Sequence, residues 1–366
     1  MNYQKNQEGN EVKDEQKFCQ LPEQPVREFP EDILPRRAEI IIINDKIWAN
    51  GTQIHYCFWD HNKHNCPRAW TAVSDAEKDV VRASFREWKD AGPGLEFIEV
   101  DDPFESEIRI GFMHGDGSWS YIGTDNLQIG QHQRTMNFGW SLTESWYGSE
   151  TALHEIGHTL GLPHAHQNPK AGLVWDVPRV YEYFRGYPNF WNDETIEYNI
   201  LRKVPASHVT GTSWDADSIM QYSFQADLIN APAPYNTQGV DPQPGLSATD
   251  KEFITKFYPP LDEDKYIELK PFRSEHAILE PGDQLDFIIR PTRSRPYYIE
   301  TFGRVDTLLV LFEKQGDRTR YLAGDDDAGF DRNARILFKL LKGREYILRL
   351  KFYYSTQSGD TAVMLY

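Results

Sequence analysis

The stretch that most restricts this chain is His154-Glu155-Ile156-Gly157-His158-Thr159-Leu160-Gly161-Leu162-Pro163-His164. On a helix, His154 and His158 lie one turn apart on the same face, so their imidazoles converge on one point. Glu155 sits about 100° around from His154, which places its carboxylate beside that point and not on it. A continued helix would carry His164 about 9 Å further along and onto another face. The chain must therefore turn back after His158. Gly161 is positioned for the reversal, because glycine reaches the left-handed conformation that ends helices at little cost. Pro163 then prevents the helix from resuming.

Three convergent imidazoles with a fourth position open are the pattern of catalytic zinc, whereas structural zinc is closed by four protein ligands. Five fixed positions in HExxHxxGxxH arise by accident in a chain this long with a probability on the order of 10⁻⁴, at about one in twenty per position. Zn2+, as a single catalytic ion, is thus expected on His154, His158 and His164, with Glu155 handling protons.

Downstream, Asp217-Ser218-Ile219-Met220-Gln221-Tyr222 supplies the second half of a pattern that resembles the metzincin zinc peptidases, with Met220 as the methionine beneath the histidines. Astacin-like and serralysin-like metzincins carry a tyrosine two residues after that methionine, the place Tyr222 holds here. The resemblance implies that Tyr222 is both an additional metal ligand and a catalytic group that swings away to stabilise the transition state. A phenol can serve both ends. Ile47-Trp48-Ala49-Asn50-Gly51 with Ile54-His55-Tyr56, then Thr135-Met136-Asn137-Phe138, then Leu246-Ser247-Ala248-Thr249-Asp250 extend the likeness to bacterial astacin-like peptidases over about residues 40–260. It implies a zinc metalloendopeptidase in which a metal-activated water attacks a peptide bond with Glu155 as general base. The protein or peptide substrate is expected to lie extended along residues 134–140.

Astacins proper place a glutamate directly after the third histidine to engage the mature N-terminus; here that position is Ala165, so activation by that burial is not expected. Cys19 raises a cysteine latch, as in matrix metalloproteases. Its surroundings, KFCQLPEQP, do not match that family's latch motif, and an unlatched enzyme is the expectation.

The organisation reads as three parts. Residues 1–38 form a polar, pro-segment-like arm punctuated by Pro22, Pro25, Pro30 and Pro35. Residues 39–260 read as an α+β metzincin-like catalytic domain, a twisted sheet plus an active-site helix, with a strand in Ile40–Ile43, a capping box at Ser74 and Glu77, and a helix over 75–90. Further strands are expected at 95–100 and 107–112, a third run at 134–140, and helices from Ser149 and Ser247. After Tyr258-Pro259-Pro260, residues 263–366 show β-type runs about every ten positions, an all-β sandwich resembling those appended to secreted bacterial peptidases.

With 39 Lys+Arg against 56 Asp+Glu, the net charge of −17 excludes a nucleic-acid groove, which needs clustered cations. No apolar run reaches the roughly 20 residues of a membrane span. The first twenty residues carry no apolar signal core, so secretion by a non-Sec route or with its leader absent is expected, with the cytoplasm as the alternative. A monomer is expected. The competing functional reading is a non-catalytic binding or adhesion protein on a decayed peptidase scaffold; Glu155, all three histidines and Tyr222 being present weighs against it.

Other candidates are weaker. Cys57 and Cys66 bracket a loop holding His61 and His64, and a disulfide ring or a zinc clip stays open there. His114 and His132 read as loop histidines. Ca2+ at Asp325, Asp326, Asp327 and Asp331 is weighed against a solvated acidic loop, which is preferred. Trp175, Tyr181, Tyr183, Phe184, Tyr187, Phe190 and Trp191 read mostly as core, with substrate subsites as the other role.

Overall fold

The computed structural model describes residues 4–5, 11–12, 17–22, 46–48, 50–71, 73–204, 214–261, 266–280, 282–316, 318–330, 332–353 and 358–366. The expected strand at Ile40–Ile43, the prolines at 25, 30 and 35, and Asp331 lie outside them. Chain contacts separate two compact units: Met1–Trp48, Ile54–Ala91 and Phe97–Glu252 in the first, Ala49–Gln53, Gly92–Glu96 and Phe253–Tyr366 in the second.

One sheet is built from β1 (Gln53–Phe58), β2 (Glu96–Glu99), β3 (Ile108–Gly111), β4 (Trp119–Ser120) and β5 (Met136–Asn137), in the order β2-β1-β3-β5-β4. β1, β3 and β5 run parallel, and β4 closes the row antiparallel to β5. Here the structure corrects the sequence reading of the substrate edge. β5, at the heart of residues 134–140, is paired on both sides, so its backbone groups are already taken; the open edge is β4. A two-residue strand in a Gly/Asp/Ser-rich loop is too short to show a period-2 pattern.

Helix α1 (Asp75–Asp90) begins with the expected capping box: the Ser74 side chain accepts from the Glu77 N–H, and the Glu77 carboxylate accepts from the Ser74 N–H. Its apolar stripe, Val81, Phe85 and Trp88, faces inward, and Trp88 Nε1 donates to the Leu153 carbonyl of α2 (Gly148–Thr159) at 2.9 Å. From Thr151 to Thr159 every residue of α2 is buried. Polar residues on such a helix are tolerable only where they find partners or a ligand. Trp48 Nε1 donates to the Thr159 carbonyl at 2.7 Å, and the Ser120 and Thr159 hydroxyls meet at 3.0 Å, so the end of α2 is tied to β4.

Beyond α2, the short ladder of β6 (Val174–Trp175) and β7 (Ile229–Ala231), α3 (Val177–Arg185), and a helical stretch Asp193–Ile196 that continues as a π-helix over Glu197–Leu201 surround an aromatic core. Trp175, Phe184 and Trp191 are buried in it as expected, while Tyr187 and Phe190 are each 70% exposed. Helix α4 (Ala248–Phe257) follows.

The second unit holds two sheets. Strands β8 (Ile267–Glu268), β10 (Gln284–Ile289), β12 (Thr307–Gln315), β13 (Arg318–Asp325) and β15 (Glu345–Phe352) form one, and β9 (Ser274–Leu279), β11 (Arg295–Gly303), β14 (Arg335–Leu340) and β16 (Gly359–Leu365) the other. Leu309, Leu348 and Leu350 of the first share a core with Ile299, Ile336 and Val363 of the second. β9 and β13 escape the sequence reading because their text, SEHAIL and RTRYLAGD, carries too few apolar residues. No helix among the described residues is long and apolar enough to cross a membrane.

Candidate metal centre

Helix α2 ends in the turn that its glycine anticipates. Leu162 N–H donates to the Gly157 carbonyl at 3.1 Å and Gly161 N–H to the His158 carbonyl at 2.8 Å, with Gly161 at φ +94°. This paired closure is a Schellman motif. The reversal brings His164 back beside α2, its Nε2 3.1 Å from His158 Nε2. The three rings stand 4.7 to 5.3 Å apart, centre to centre.

Two of the rings are oriented through the nitrogen that faces away. His154 Nδ1 donates to the Ile219 carbonyl at 2.8 Å, and His158 Nδ1 to the Leu162 carbonyl at 2.7 Å. A carbonyl can only accept, so each Nδ1 carries the proton and each Nε2 presents a lone pair. Burial lowers the His154 imidazole to about 4 and holds His158 and His164 well below the usual range. Neutral imidazole is the form that ligates a metal. His154 Nε2 is buried without a hydrogen-bond partner among the described residues. Such an orphan calls for an explanation, and a cation at the convergence point supplies one. The residues present fit zinc.

Met220 lies under this group. A Cβ on residue 157 would come within 2.4 Å of Met220 Sδ, so only glycine fits there. The backbone around Met220 is fixed by Asp250, whose carboxylate accepts from Ser218 Oγ at 2.6 Å, Ile219 N–H at 2.8 Å and Ser247 N–H at 3.0 Å. Asp250 thereby sets the Ile219 carbonyl on which His154 leans. Sequence reasoning places Asp250 at the start of a helix but misses this role.

Glu155 is fully buried beside the histidines. Its Oε2 accepts from Cys19 Sγ at 3.5 Å, and its Oε1 has no partner among the described residues. Burial pushes the carboxyl up to about 8, against the pull of the Cys19 contact. The Tyr222 hydroxyl donates to the Cys19 carbonyl at 2.7 Å and lies 2.7 Å from His164 Nε2.

The expectation of an unlatched centre is corrected by Cys19. Its Sγ is 3.6 Å from His158 Nε2, and the donor atoms of Cys19, His154, His158 and His164 all lie within 4.8 Å of one another. Burial and the neighbouring Glu155 raise the thiol pKa well above its usual range. Three nitrogens and a sulfur are a donor set zinc accepts. The arm is held along its length: Gln20 N–H donates to the Ser118 carbonyl at 3.0 Å, next to the open edge at β4, and Leu21 N–H to Asn199 Oδ1 at 3.0 Å. The match to a latch motif fails locally because the latch is made by the cleft around residues 18–21, not by the cysteine's neighbours in sequence.

The remaining candidates separate. Cys57 and Cys66 are free, buried thiols. His61 Nδ1 meets the Cys66 carbonyl, while His64 engages the Asp60 N–H and the Asp101 carbonyl, so both histidines turn to backbone groups and form no clip with the cysteines. His114 lies 3.9 Å from Glu77, and His132 packs edge-on against Phe104. Asp325 accepts from the N–H groups of Ala328 and Arg335 and so organises its own loop.

Comparison with known proteins places this geometry. The matrixin family model matches residues 48–174. The solved structure of myroilysin aligns with 32% identity and a TM-score of 0.51, covering 60% of this chain and 98% of that one. Serralysin of Photorhabdus laumondii subsp. laumondii is 28% identical over 145 residues, 35% of this chain and 30% of the relative. The hatching enzyme of Paracentrotus lividus is 34% identical over 126 residues, 31% of this chain and 20% of the relative. The chain thus spans about a third or less of the length of these curated relatives. The matching model names the matrixin branch, so agreement with the sequence resemblance lies at the level of the metzincins and not of their astacin-like branch.

Proposed function

This chain belongs to the metzincin family of zinc peptidases, with a matrixin-type catalytic region, and on that premise we propose that it is a zinc-dependent endopeptidase acting on internal peptide bonds of proteins. The observation that carries the reading is Glu155, a buried carboxylate with one oxygen that has no partner among the described residues, set against three neutral imidazoles. A binding protein on a decayed scaffold has no use for that carboxylate, which costs stability unless a reaction employs it.

His154, His158 and His164 would hold the zinc, with Tyr222 as a further ligand. Bound there, zinc would supply a Lewis acid for the scissile carbonyl and would lower the pKa of a water toward 7. Glu155 accepts the water proton at its free Oε1 and returns it to the leaving nitrogen. Burial pushes its carboxyl up to about 8 in the metal-free latent chain, and a bound cation beside it would pull it back toward the carboxylate that accepts the proton. The Tyr222 hydroxyl donates to the oxygen on which negative charge develops. Support for that assignment is its present bond to a peptide oxygen of the cleft-filling arm, the Cys19 carbonyl.

Substrate enters as an extended strand against the β4 edge, the side on which Gln20 already pairs with Ser118. Because Phe18, Cys19 and Leu21 fill the cleft, the chain as it stands is the latent form, and the arm must leave before substrate binds. The tyrosine two residues after Met220 supports a finer placement near the astacin-like and serralysin-like branches. The likeness to secreted bacterial peptidases supports an exported enzyme.

The test is Glu155→Ala. Zinc content should be unchanged while casein hydrolysis by the activated enzyme falls about 10²–10⁴-fold, the usual contribution of a positioned acid-base group. Near-normal hydrolysis by this variant would overturn the mechanism.

A further inference from the structure

The arm brings more than a thiol to the cleft. Phe18, only 6% exposed, sinks its ring among five others: Phe184 at 5.0 Å between centroids, Tyr222 at 5.2 Å, Phe224 at 6.1 Å, and Tyr183 and Trp191 each at 6.4 Å. Most of these contacts are edge-to-face, the arrangement that ring quadrupoles favour. All five wall residues lie beyond position 174, where the match to the matrixin model ends. Tyr183, Phe184 and Trp191 come from the aromatic-rich stretch between α2 and the Met220 turn, and Tyr222 and Phe224 from the segment just after Met220, so the pocket is walled by two separate parts of the chain.

Phe18 directly precedes Cys19, so its ring hangs one residue away from the atoms at the metal centre. On the other side of Cys19 the arm's backbone is held as a strand's would be, by the Ser118 carbonyl and Asn199 Oδ1. Any extended peptide that takes the arm's path offers its own side chain to the same ring-lined space.

We propose that this pocket is the specificity site of the cleft, that it selects peptides with phenylalanine, tyrosine or tryptophan beside the scissile bond, and that Phe18 occupies it in the latent chain as a built-in stand-in for substrate. The word scissile rests on the peptidase reading above; the pocket itself rests on burial and ring packing. An aromatic side chain buries roughly 150–250 Å² there. A small side chain leaves a void with the cost of a cavity. A carboxylate or ammonium loses its water and gains no partner among the rings.

The test uses the full chain with Phe18→Ala and Cys19→Ser together, which vacates the pocket and removes the thiol. It is titrated with two blocked six-residue peptides copying positions 17–22, both with alanine in the cysteine position and one with alanine in place of the phenylalanine as well. The phenylalanine peptide should bind at least about tenfold more tightly, the low end of what one apolar group decides in a fitted pocket. Equal affinities overturn the proposal. The wild-type chain, with its own ring in place, should bind the phenylalanine peptide at least about tenfold more weakly than the double variant does; equal binding by wild type shows that the peptide sits elsewhere and also overturns it. The double variant is then profiled for cleavage on a mixed peptide library. Cleavage without preference for aromatic residues overturns the pocket and leaves the peptidase reading intact. Aromatic-selective binding with no cleavage of any peptide overturns the peptidase reading and leaves the pocket.

Discussion

Two stretches meet at the metal centre and arrive there by different physics. His154 to His164 bring three imidazoles together through local geometry, a helical turn and a glycine reversal, so their convergence is already written in the spacing of eleven residues. Residues 17–22 bring Cys19 to the same point through contacts with residues 98 to 203 positions away, among them Ser118, Glu155, Asn199 and Tyr222. The first stretch makes its site wherever the helix forms. The second makes one only when the rest of the cleft is built. Local determinants should thus fail sharply when touched, and non-local ones in smaller shares spread over many contacts.

The largest effect is expected on the local side. His158→Ala removes an Nε2 donor that is fully buried and held in its tautomer by the Leu162 carbonyl. Zinc retained after dialysis should fall by more than the roughly 10–100-fold that loss of an outer hydrogen-bond partner causes. If metal content stays near one ion per chain, the Cys19 thiol and not the helix carries the affinity, and the contrast between the two stretches collapses.

The same distinction explains what the sequence made legible. The capping box at Ser74, the helix over Asp75–Asp90, the reversal at Gly161 and apolar strands such as Gln284–Ile289 are set by neighbours a few residues apart, and each forms where the pattern places it. The edge at β4 is two residues long and depends on pairing with β5, so residues 134–140 looked like the edge when Met136–Asn137 within them is an interior strand. The wall around Phe18 and the seat of Cys19 depend on side chains drawn from four separate segments, which no periodicity records. A cysteine close to prolines upstream of the histidine motif was the available signal for the arm. Its weight becomes visible only once burial and partners are known.

An intermediate case sharpens the comparison. Asp250 is non-local to the histidines, 31 residues from Ile219, yet it fixes the carbonyl that holds His154. Asp250→Ala removes three hydrogen bonds to a buried carboxylate, at roughly 1.5–3 kcal/mol each before relaxation. A net loss of about 2–4 kcal/mol is expected in urea unfolding of the metal-free chain, with zinc retention reduced alongside. Asp250→Asn keeps one acceptor oxygen and should fall between. Equal unfolding midpoints for the wild type and Asp250→Ala would show that the Met220 turn is held by packing alone and that Asp250 belongs with the dispensable contacts.

The smallest effect belongs to a single peg of the arm. Asn199 is 1% exposed on the π-helix Glu197–Leu201, its Oδ1 accepting from Leu21 N–H and its Nδ2 donating to the Thr195 carbonyl at 3.1 Å. The wide turn of a π-helix shifts side chains relative to the α register, and such turns gather at functional sites. Asn199→Ala leaves the Leu21 N–H buried without its acceptor, a loss of about 1–2 kcal/mol in the seating of the arm. Hydrogen exchange at the Leu21 amide should therefore quicken by roughly 5–30-fold, while exchange at the Leu160 amide, bonded within the end of α2, stays as it was. Asn199→Asp restores the acceptor and should bring Leu21 back toward the wild-type rate. If Asn199→Ala frees the whole arm at once, so that Cys19 becomes as reactive to alkylation as an exposed thiol, then the arm is held by one bond and not by many, and the contrast with the histidine helix is wrong.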